Sequence, residues 1–392
     1  MQNQVPSGWQ KVKLGEISAK IYSGGTPNTT KSNYWSGNLN WLSSGETGQK
    51  FIYSTNKRIT EEGVKNSSTK LSLKGDVVIA SAGQGNTRGQ TSYLKTDTYI
   101  NQSLICIRGK KNVLDNLWLL YNLSNRYLEL RSISDTTSIR GSLTTKIFKD
   151  LDILIPNYFD QQKIASILSA FDDKIELNYK IAKTLEDMAS AIFKEWFVKF
   201  RFPGCEKAKF VNYGTKKLPE EWKINLLESI CEINYGKDLK TNELEKEGYP
   251  VYGGNGLIGF SSKFLFENQQ IIVGCRGAYS GNVFKTKKYS WVTHNSLILK
   301  IKNSNIGLNY LFYYLRRANV KSTVKGSAQP QITTTELNKL PTIIPKYEVL
   351  SSFEKFINPI EKKRYVIEEE NQKLAQMRDL FLPKLMKGEI RV

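Results

Sequence analysis

The chain repeats itself. Pro6-Ser7-Gly8-Trp9 returns as Pro219-Glu220-Glu221-Trp222, and Leu14 and Ile17 return as Leu227 and Ile230, all at an offset of 213 (222 − 9). Ser103-Leu104-Ile105 returns as Ser296-Leu297-Ile298 at 193 (296 − 103). Leu143-Thr144-Thr145 and Ile155-Pro156 return as Ile332-Thr333-Thr334 and Ile344-Pro345 at 189 (345 − 156). Self-similarity over so long a period calls for two units of one architecture. The falling offset makes the second unit 24 residues shorter (213 − 189), with matched ends and a diverged middle.

Each unit reads as strand-rich. Short apolar runs such as Gly75-Asp76-Val77-Val78-Ile79-Ala80 and Gln270-Ile271-Ile272-Val273-Gly274 are bounded by glycine-rich turns. The segments 117–130 and 308–317 have helical spacing. After each strand-rich part comes a stretch of about 40 residues with apolar side chains in 4-3 alternation, the pattern of a coiled-coil seam. In the first, the seam is Ile164, Leu168, Phe171, Ile175, the polar Asn178, then Ala182, Leu185, Met188 and Ile192. In the second it is Phe353, Phe356, Ile360, Ile367, Leu374, Met377 and Phe381, interrupted by Lys363 and Glu370. Pro359 lies inside this second helix and is expected to kink it, at roughly 3 kcal/mol if uncompensated. Phe202-Pro203-Gly204 and Pro383 close the two stretches.

A helix of about 40 residues spans roughly 60 Å, and one with a single apolar stripe is not stable alone. Packing of each helix on its own unit is the simpler alternative, but the stripe outruns a unit of this size. The expectation is that the two stripes pair antiparallel. The expected fold class is therefore α+β: two tandem strand-rich domains separated by an antiparallel coiled coil of two long helices. Asn178 on the seam either fixes the register or is merely tolerated there.

Composition narrows the function. The chain has 392 residues and a formal net charge of +20, from 57 Lys+Arg against 37 Asp+Glu. A surplus of that size calls for a polyanionic partner or a large acidic surface, with nucleic acid the default and a merely soluble basic protein the alternative. No apolar run approaches the roughly 20 residues of a membrane helix, and MQNQVPSGWQ has no apolar signal core, so residence in the cytoplasm is expected. Cys106, Cys205, Cys231 and Cys275 lie at no zinc-binding spacing and read as ordinary reduced thiols.

No catalytic constellation is present in the sequence. His294 is the single histidine, precedes an apolar strand and reads as structural, so histidine triads and metal clusters are nearly excluded. There is no GxxxxGK[ST] run, and Gly83-Gln84-Gly85-Asn86-Thr87-Arg88-Gly89 has the wrong glycine spacing for a dinucleotide fingerprint. Glu221-Trp222-Lys223 has no Pro-Asp before it, so the common nuclease pattern is missing. Neither Asn-Pro-Pro-Tyr nor Asp-Pro-Pro-Tyr, as an amino-methyltransferase would carry, occurs.

A family resemblance covers essentially the whole chain. Ser23-Gly24-Gly25-Thr26-Pro27 with Tyr34-Trp35 and Trp41, and Val251-Tyr252-Gly253-Gly254-Asn255-Gly256-Leu257-Ile258-Gly259, resemble openings of the target-recognition domains of type I restriction–modification specificity (S) subunits. Asp160-Gln161-Gln162-Lys163-Ile164-Ala165 resembles that family's first conserved helix, and Phe381-Leu382-Pro383-Lys384-Leu385-Met386-Lys387-Gly388-Glu389-Ile390 its C-terminus. Lys346-Tyr347-Glu348-Val349 departs from the family by lacking the acidic-Gln-Gln start of the first helix. The resemblance implies target-recognition domains over 1–156 and 205–345, with conserved helices as spacer and tail over 157–204 and 346–392. It also implies two methyltransferase subunits and two restriction/translocase subunits as partners on double-stranded DNA. S-adenosylmethionine, ATP and Mg2+ would serve those partners, and this chain itself would bind no cofactor or metal and catalyse nothing.

On that basis the chain is expected to bind a bipartite DNA site and to direct methyltransferase and restriction partners to it. The competing readings are a stand-alone DNA-binding regulatory or structural protein and, less in keeping with the missing motifs, an enzyme acting on DNA. The candidate DNA contacts are Thr26, Asn28, Lys31, Arg88 and Arg140 in the first domain, and Lys237, Asn255, Arg276, Lys325 and Gln329 in the second. Arg88 and Arg276 draw attention because they lie in equivalent glycine-flanked loops, where backbone approaches a groove closely and Arg suits bidentate guanine contact. A solvated loop charge is the alternative for each.

Overall fold

The runs Val77–Ala80 and Ile271–Gly274 are buried along their whole length, as a strand covered on both faces must be. The computed structural model describes residues 6–83, 85–137, 141–214, 216–326 and 329–392. They form two compact units: unit 1 is Met1–Leu177 with Glu370–Val392, and unit 2 is Asn178–Glu369. The dividing points fall inside the two long helices, Tyr158–Phe197 and Tyr347–Met386. Each unit thus holds one strand-rich domain and a half of each helix.

In unit 1 the sheet that carries the site orders its strands Ser18–Ser23, Leu104–Gly109, Val77–Ala80, Thr91–Leu94 and Phe51–Ile52. In unit 2 the order is Cys231–Tyr235, Ser296–Ile301, Ile271–Gly274 and Val283–Lys285. Alternate residues feed opposite cores, as strand geometry dictates. Ile105 and Ile107 join one cluster while Leu104 and Cys106 join another. In unit 2, Leu297 and Leu299 face one core and Ile298 the other.

The offsets of the sequence repeat reappear as strand registers. Gln10 pairs with Ile155 and Lys223 with Ile344, offsets of 213 (223 − 10) and 189 (344 − 155). Leu104 pairs with Ala80 and Leu297 with Val273, both offset by 193 (297 − 104 and 273 − 80). A parallel strand pair also occurs in each unit, Leu42 with Ile100 and Tyr252 with Val292. The helical stretch over 117–130 is two helices, Asn116–Asn125 and Tyr127–Thr137, whereas Leu308–Arg317 is one.

The long helices pair antiparallel. In unit 1, Phe171 stacks on Phe381 at 6.1 Å, Arg378 bonds Asp172 at 2.5 Å, and Asn371 donates to the Ile175 carbonyl at 3.2 Å. Numbers fall on one helix as they rise on the other. In unit 2 the opposite ends meet, with Phe193, Trp196 and Phe197 around Phe353. Ile164, Leu168, Phe353 and Ile367 are buried, and Phe171, Ile175, Leu185, Ile192, Ile360, Leu374 and Phe381 half-buried. Phe356 is a correction to the seam: it is 56% exposed, and Ile357, fully buried, takes the inward position. Leu350, Phe353 and Ile357 face the core shared with Tyr310 and Leu311, which sets the stripe one residue off. Met188 and Met377 also lie on exposed faces. The helix continues unbroken through Pro359.

The differing helix starts have a local cause. Asn157 caps the first long helix by accepting from the Asp160 N–H at 2.9 Å. Gln161 is buried, donates to the Pro156 and Val113 carbonyls and accepts from the Asp115 N–H, so it ties the helix to its domain. At the equivalent position of the second helix (161 + 189 = 350) stands Leu350, buried in an apolar core. The acidic-Gln-Gln start therefore supplies a polar anchor in one unit that packing replaces in the other.

Candidate nucleic-acid interface

In both units the connections at one end of the central sheet converge. In unit 2 the turn 293–296 is closed by the Ser296 N–H donating to the Thr293 carbonyl at 3.0 Å. The segment after Cys231–Tyr235 lies over this turn: Gly236 donates to Ser296 O and Lys237 to Val292 O. A side chain at Gly236 would overlap the Thr293 carbonyl, so the crossing needs glycine. On the other side Cys275 donates to the Asn295 carbonyl, and Gly277 to Pro330 O. Gly254, at the tip of the hairpin joining Tyr249–Gly253 to Gly256–Ser261, approaches both Gly274 and Asn295.

This geometry gathers the unit 2 candidates. Lys237, Asn255, Arg276, Lys325 and Gln329 are all exposed, and Arg276 and Lys325 both bridge to Gln331. Lys325 has a loose ion pair with Glu336 at 3.9 Å. Among the described residues no carboxylate pairs with Arg276. His294 pairs with Asp238 at the same edge. Burial pushes the Cys275 thiol up, and pushes those of Cys106 and Cys231 to about 12, so these three are not nucleophiles.

Unit 1 repeats the arrangement with different side chains. Gly24 crosses the turn 101–104, where a side chain would overlap the Ile100 carbonyl, and Ser81 donates to Ser103 O at 2.8 Å. Thr26 is half-buried and its hydroxyl bonds Gln102 Oε1. Asn28 and Lys31 follow on the same loop and are exposed, but both serve local turns. Asn28 Oδ1 accepts from the Thr30 N–H at 3.0 Å, and Lys31 donates to the Tyr34 hydroxyl at 3.2 Å.

Arg88 is a correction. Its loop, between Val77–Ala80 and Thr91–Leu94, is the counterpart of the Arg276 loop, yet its side chain is buried. It pairs with Asp135 and donates to the Gly141 carbonyl at 3.2 Å, so its donors close unit 1 instead of facing a groove. Arg140 lies outside the described residues. Two residues at the edge were not singled out from sequence, Gln102 and Asn295, both exposed. Their signal was present: each immediately precedes the repeated Ser-Leu-Ile.

The family model for the type I restriction modification DNA specificity domain matches residues 6–187 and 219–369. The chain belongs to that family. A specificity subunit of it is a DNA-recognition component, not the catalyst, of a restriction–modification system. The specificity subunit of type I restriction enzyme MjaIX from Methanocaldococcus jannaschii is 26% identical, over 99% of this chain and 95% of that protein. That of HindI from Haemophilus influenzae is 24% identical, over 98% and 100%. The crystal structure of a type I S subunit from M. genitalium shares the fold, with a TM-score of 0.63 at 16% identity over 98% of this chain and 97% of that one. Among the described residues no helix is long and apolar enough to cross a membrane, and no His/Cys/Asp/Glu group could hold a metal.

Proposed function

We propose that this specificity subunit binds a split DNA site, one half per unit, and brings methyltransferase and restriction/translocase partners to it in the cytoplasm. The observation that carries this reading is the recurrence of one converging edge in both units, with exposed basic and amide side chains. Lysines such as Lys237 and Lys325 supply sequence-independent phosphate contacts, while Arg276, Asn255 and Gln329 offer donors suited to base edges. Two copies of one reading head suit two half-sites, and their different side chains make those half-sites unlike. S-adenosylmethionine, ATP and Mg2+ remain with the partners, two methyltransferase and two restriction subunits. Exposed apolar residues along the helices, Ile167 and Leu380 in unit 1 and Met188 and Val366 in unit 2, offer those partners a docking surface.

The test is a base-modification map of host DNA with and without the gene. Loss of methyl-adenine at one split motif with a fixed spacer is expected. Identical maps, together with a purified chain that enriches no sequence from a random duplex pool, overturn the reading.

A further inference from the structure

We infer that Gln102 and Asn295 are paired base-reading amides, each directed at the major-groove edge of an adenine, one in each half-site. This rests on the DNA-recognition reading above and names the residues and base that it leaves open. The first support is position. Gln102 and Asn295 stand 193 apart (295 − 102), the offset of the central strands and of their neighbours. Each lies two residues before the leucine that opens the matched register, and each side chain is exposed.

The second support is rigidity. Leu104 donates to the Asn101 carbonyl and Ser103 to the Asn101 side chain at 3.1 Å, which fixes the backbone around Gln102. In unit 2 the Asn295 carbonyl accepts from Cys275 at 3.0 Å. The Thr26 hydroxyl engages one lone pair of Gln102 Oε1, leaving the second lone pair and the amide N–H groups for a ligand. Base discrimination needs side chains carried on rigid elements, and both amides stand on backbone fixed in this way.

The third support is reach. Three residues separate Ile100 from Leu104, whereas four separate Val292 from Leu297. The unit with the shorter turn carries the longer amide. Chemistry then selects the base: a primary amide offers one acceptor and one donor side by side, which matches adenine N6–H and N7. Lys237 and Arg276 flank Asn295 at the edge and supply charge for the backbone and a second base.

The test is selection from a random duplex pool by the purified full chain, unmodified and substituted. The unmodified chain is expected to enrich a split motif with an adenine in each half. Gln102→Leu should lose the preference for one adenine by roughly tenfold or more, with the other half unchanged, and Asn295→Leu should do the mirror image. Gln102→Glu preserves size and replaces the donor with an acceptor, so the preference there should move toward cytosine. Thr26→Val should weaken that same base without shifting the position read. A split motif unchanged by Gln102→Glu and Asn295→Leu overturns the assignment alone. Equal loss in both halves from either variant also overturns it. No motif even for the unmodified chain removes the DNA-recognition reading and the assignment with it.

Discussion

Each long helix carries a buried carboxylate at the same step of the repeat. Asp172 and Glu361 lie 189 apart (361 − 172), as do the helix starts Tyr158 and Tyr347 (347 − 158). In unit 1, Asp172 takes Lys50 at 2.9 Å, the Tyr121 hydroxyl at 2.7 Å and Arg378 from the second long helix. In unit 2, Glu361 takes Lys285, the Tyr313 hydroxyl and Arg364, one turn along its own helix at 2.9 Å. Lysine and tyrosine are retained in kind while the arginine has changed its origin. What the duplication preserved is charge balance around a buried carboxylate, since an unpaired charge there is costly. Unit 1 uses the arginine to join both helices, whereas unit 2 spends it within one.

The largest effects should come from breaking these clusters. Lys285 is 4% exposed, so Glu361→Ala leaves its buried charge without the Glu361 carboxylate, with the Asn309 amide oxygen still at 2.8 Å, and should cost roughly 3–5 kcal/mol in the protection of unit 2 against hydrogen exchange. Lys50 is 26% exposed and can turn toward water, so Asp172→Ala should cost less in unit 1, about 2 kcal/mol. The reverse order would mean that the helix-to-helix contact of Arg378 outweighs depth of burial.

Acid should weaken the unit 2 cluster. Burial alone would raise the Glu361 carboxyl, but Lys285 and Arg364 beside it bring it down to about 2. A carboxyl depressed in the folded state stabilises fully above its unfolded value, near 4.5, and that contribution is lost as pH falls from there toward 2. Unit 2 protection should decline across this window, and Glu361→Gln should flatten the decline. An unchanged slope in Glu361→Gln would place the acid response elsewhere.

The repeated tryptophans give a second contrast. Trp222 is 1% exposed and lies against Phe197, Phe200 and Phe202, whereas Trp9 is only half-buried. Trp222→Ala should cost roughly 3–5 kcal/mol in unit 2, and Trp9→Ala about 2 kcal/mol in unit 1. Equal losses would show that the C-terminal tail, whose Gly388 packs on Pro6 and Trp9, seals its tryptophan as tightly as the three phenylalanines do.

Much of this architecture was legible in the sequence because it is written in spacing. The offsets 213, 193 and 189 are strand registers, and the 4-3 alternation from Ile164 to Ile192 lies on buried or half-buried positions apart from Met188. What spacing cannot carry is pairing between distant residues. Arg88 meets Asp135 at a separation of 47 residues, and nothing near Arg88 marks it as an inward-turned side chain. Asp172 and Glu361 are single acids among many on polar-looking helices, and only the fold brings Lys50 and Lys285 to them. Gln102 and Asn295, the proposed reading amides, carry no mark of this kind: glycine-rich loops point to backbone approach, whereas the role proposed for these amides requires only exposure and a fixed turn.

The two loop arginines should behave oppositely. Arg276→Ala should weaken recognition of one half-site by about 1–3 kcal/mol in a binding titration and leave unit 2 protection intact. Arg88→Ala should lower unit 1 protection by about 1–2 kcal/mol through loss of its charged hydrogen bonds. A half-site lost by Arg88→Ala without any loss of protection would return it to the interface.

The smallest difference concerns two helix caps. Thr144 and Thr333 lie 189 apart (333 − 144), and each hydroxyl accepts an N–H at 3.2 Å, from Ile147 and Glu336 respectively. Threonine-to-alanine at either cap should cost about 1 kcal/mol. The helices differ in the third residue: Glu336 places a negative charge in the first turn, where it complements the helix dipole. That charge still supports the helix when the cap is lost, so Thr333→Ala should cost a few tenths of a kcal/mol less than Thr144→Ala. Hydrogen exchange of the amides in Thr145–Asp150 and Thr334–Asn338 resolves the two. Adding Glu336→Gln to Thr333→Ala should then remove the difference. If the two caps cost the same from the outset, Glu336 is already spent on Lys339, which it meets at 3.1 Å, and the dipole has nothing left to gain from it.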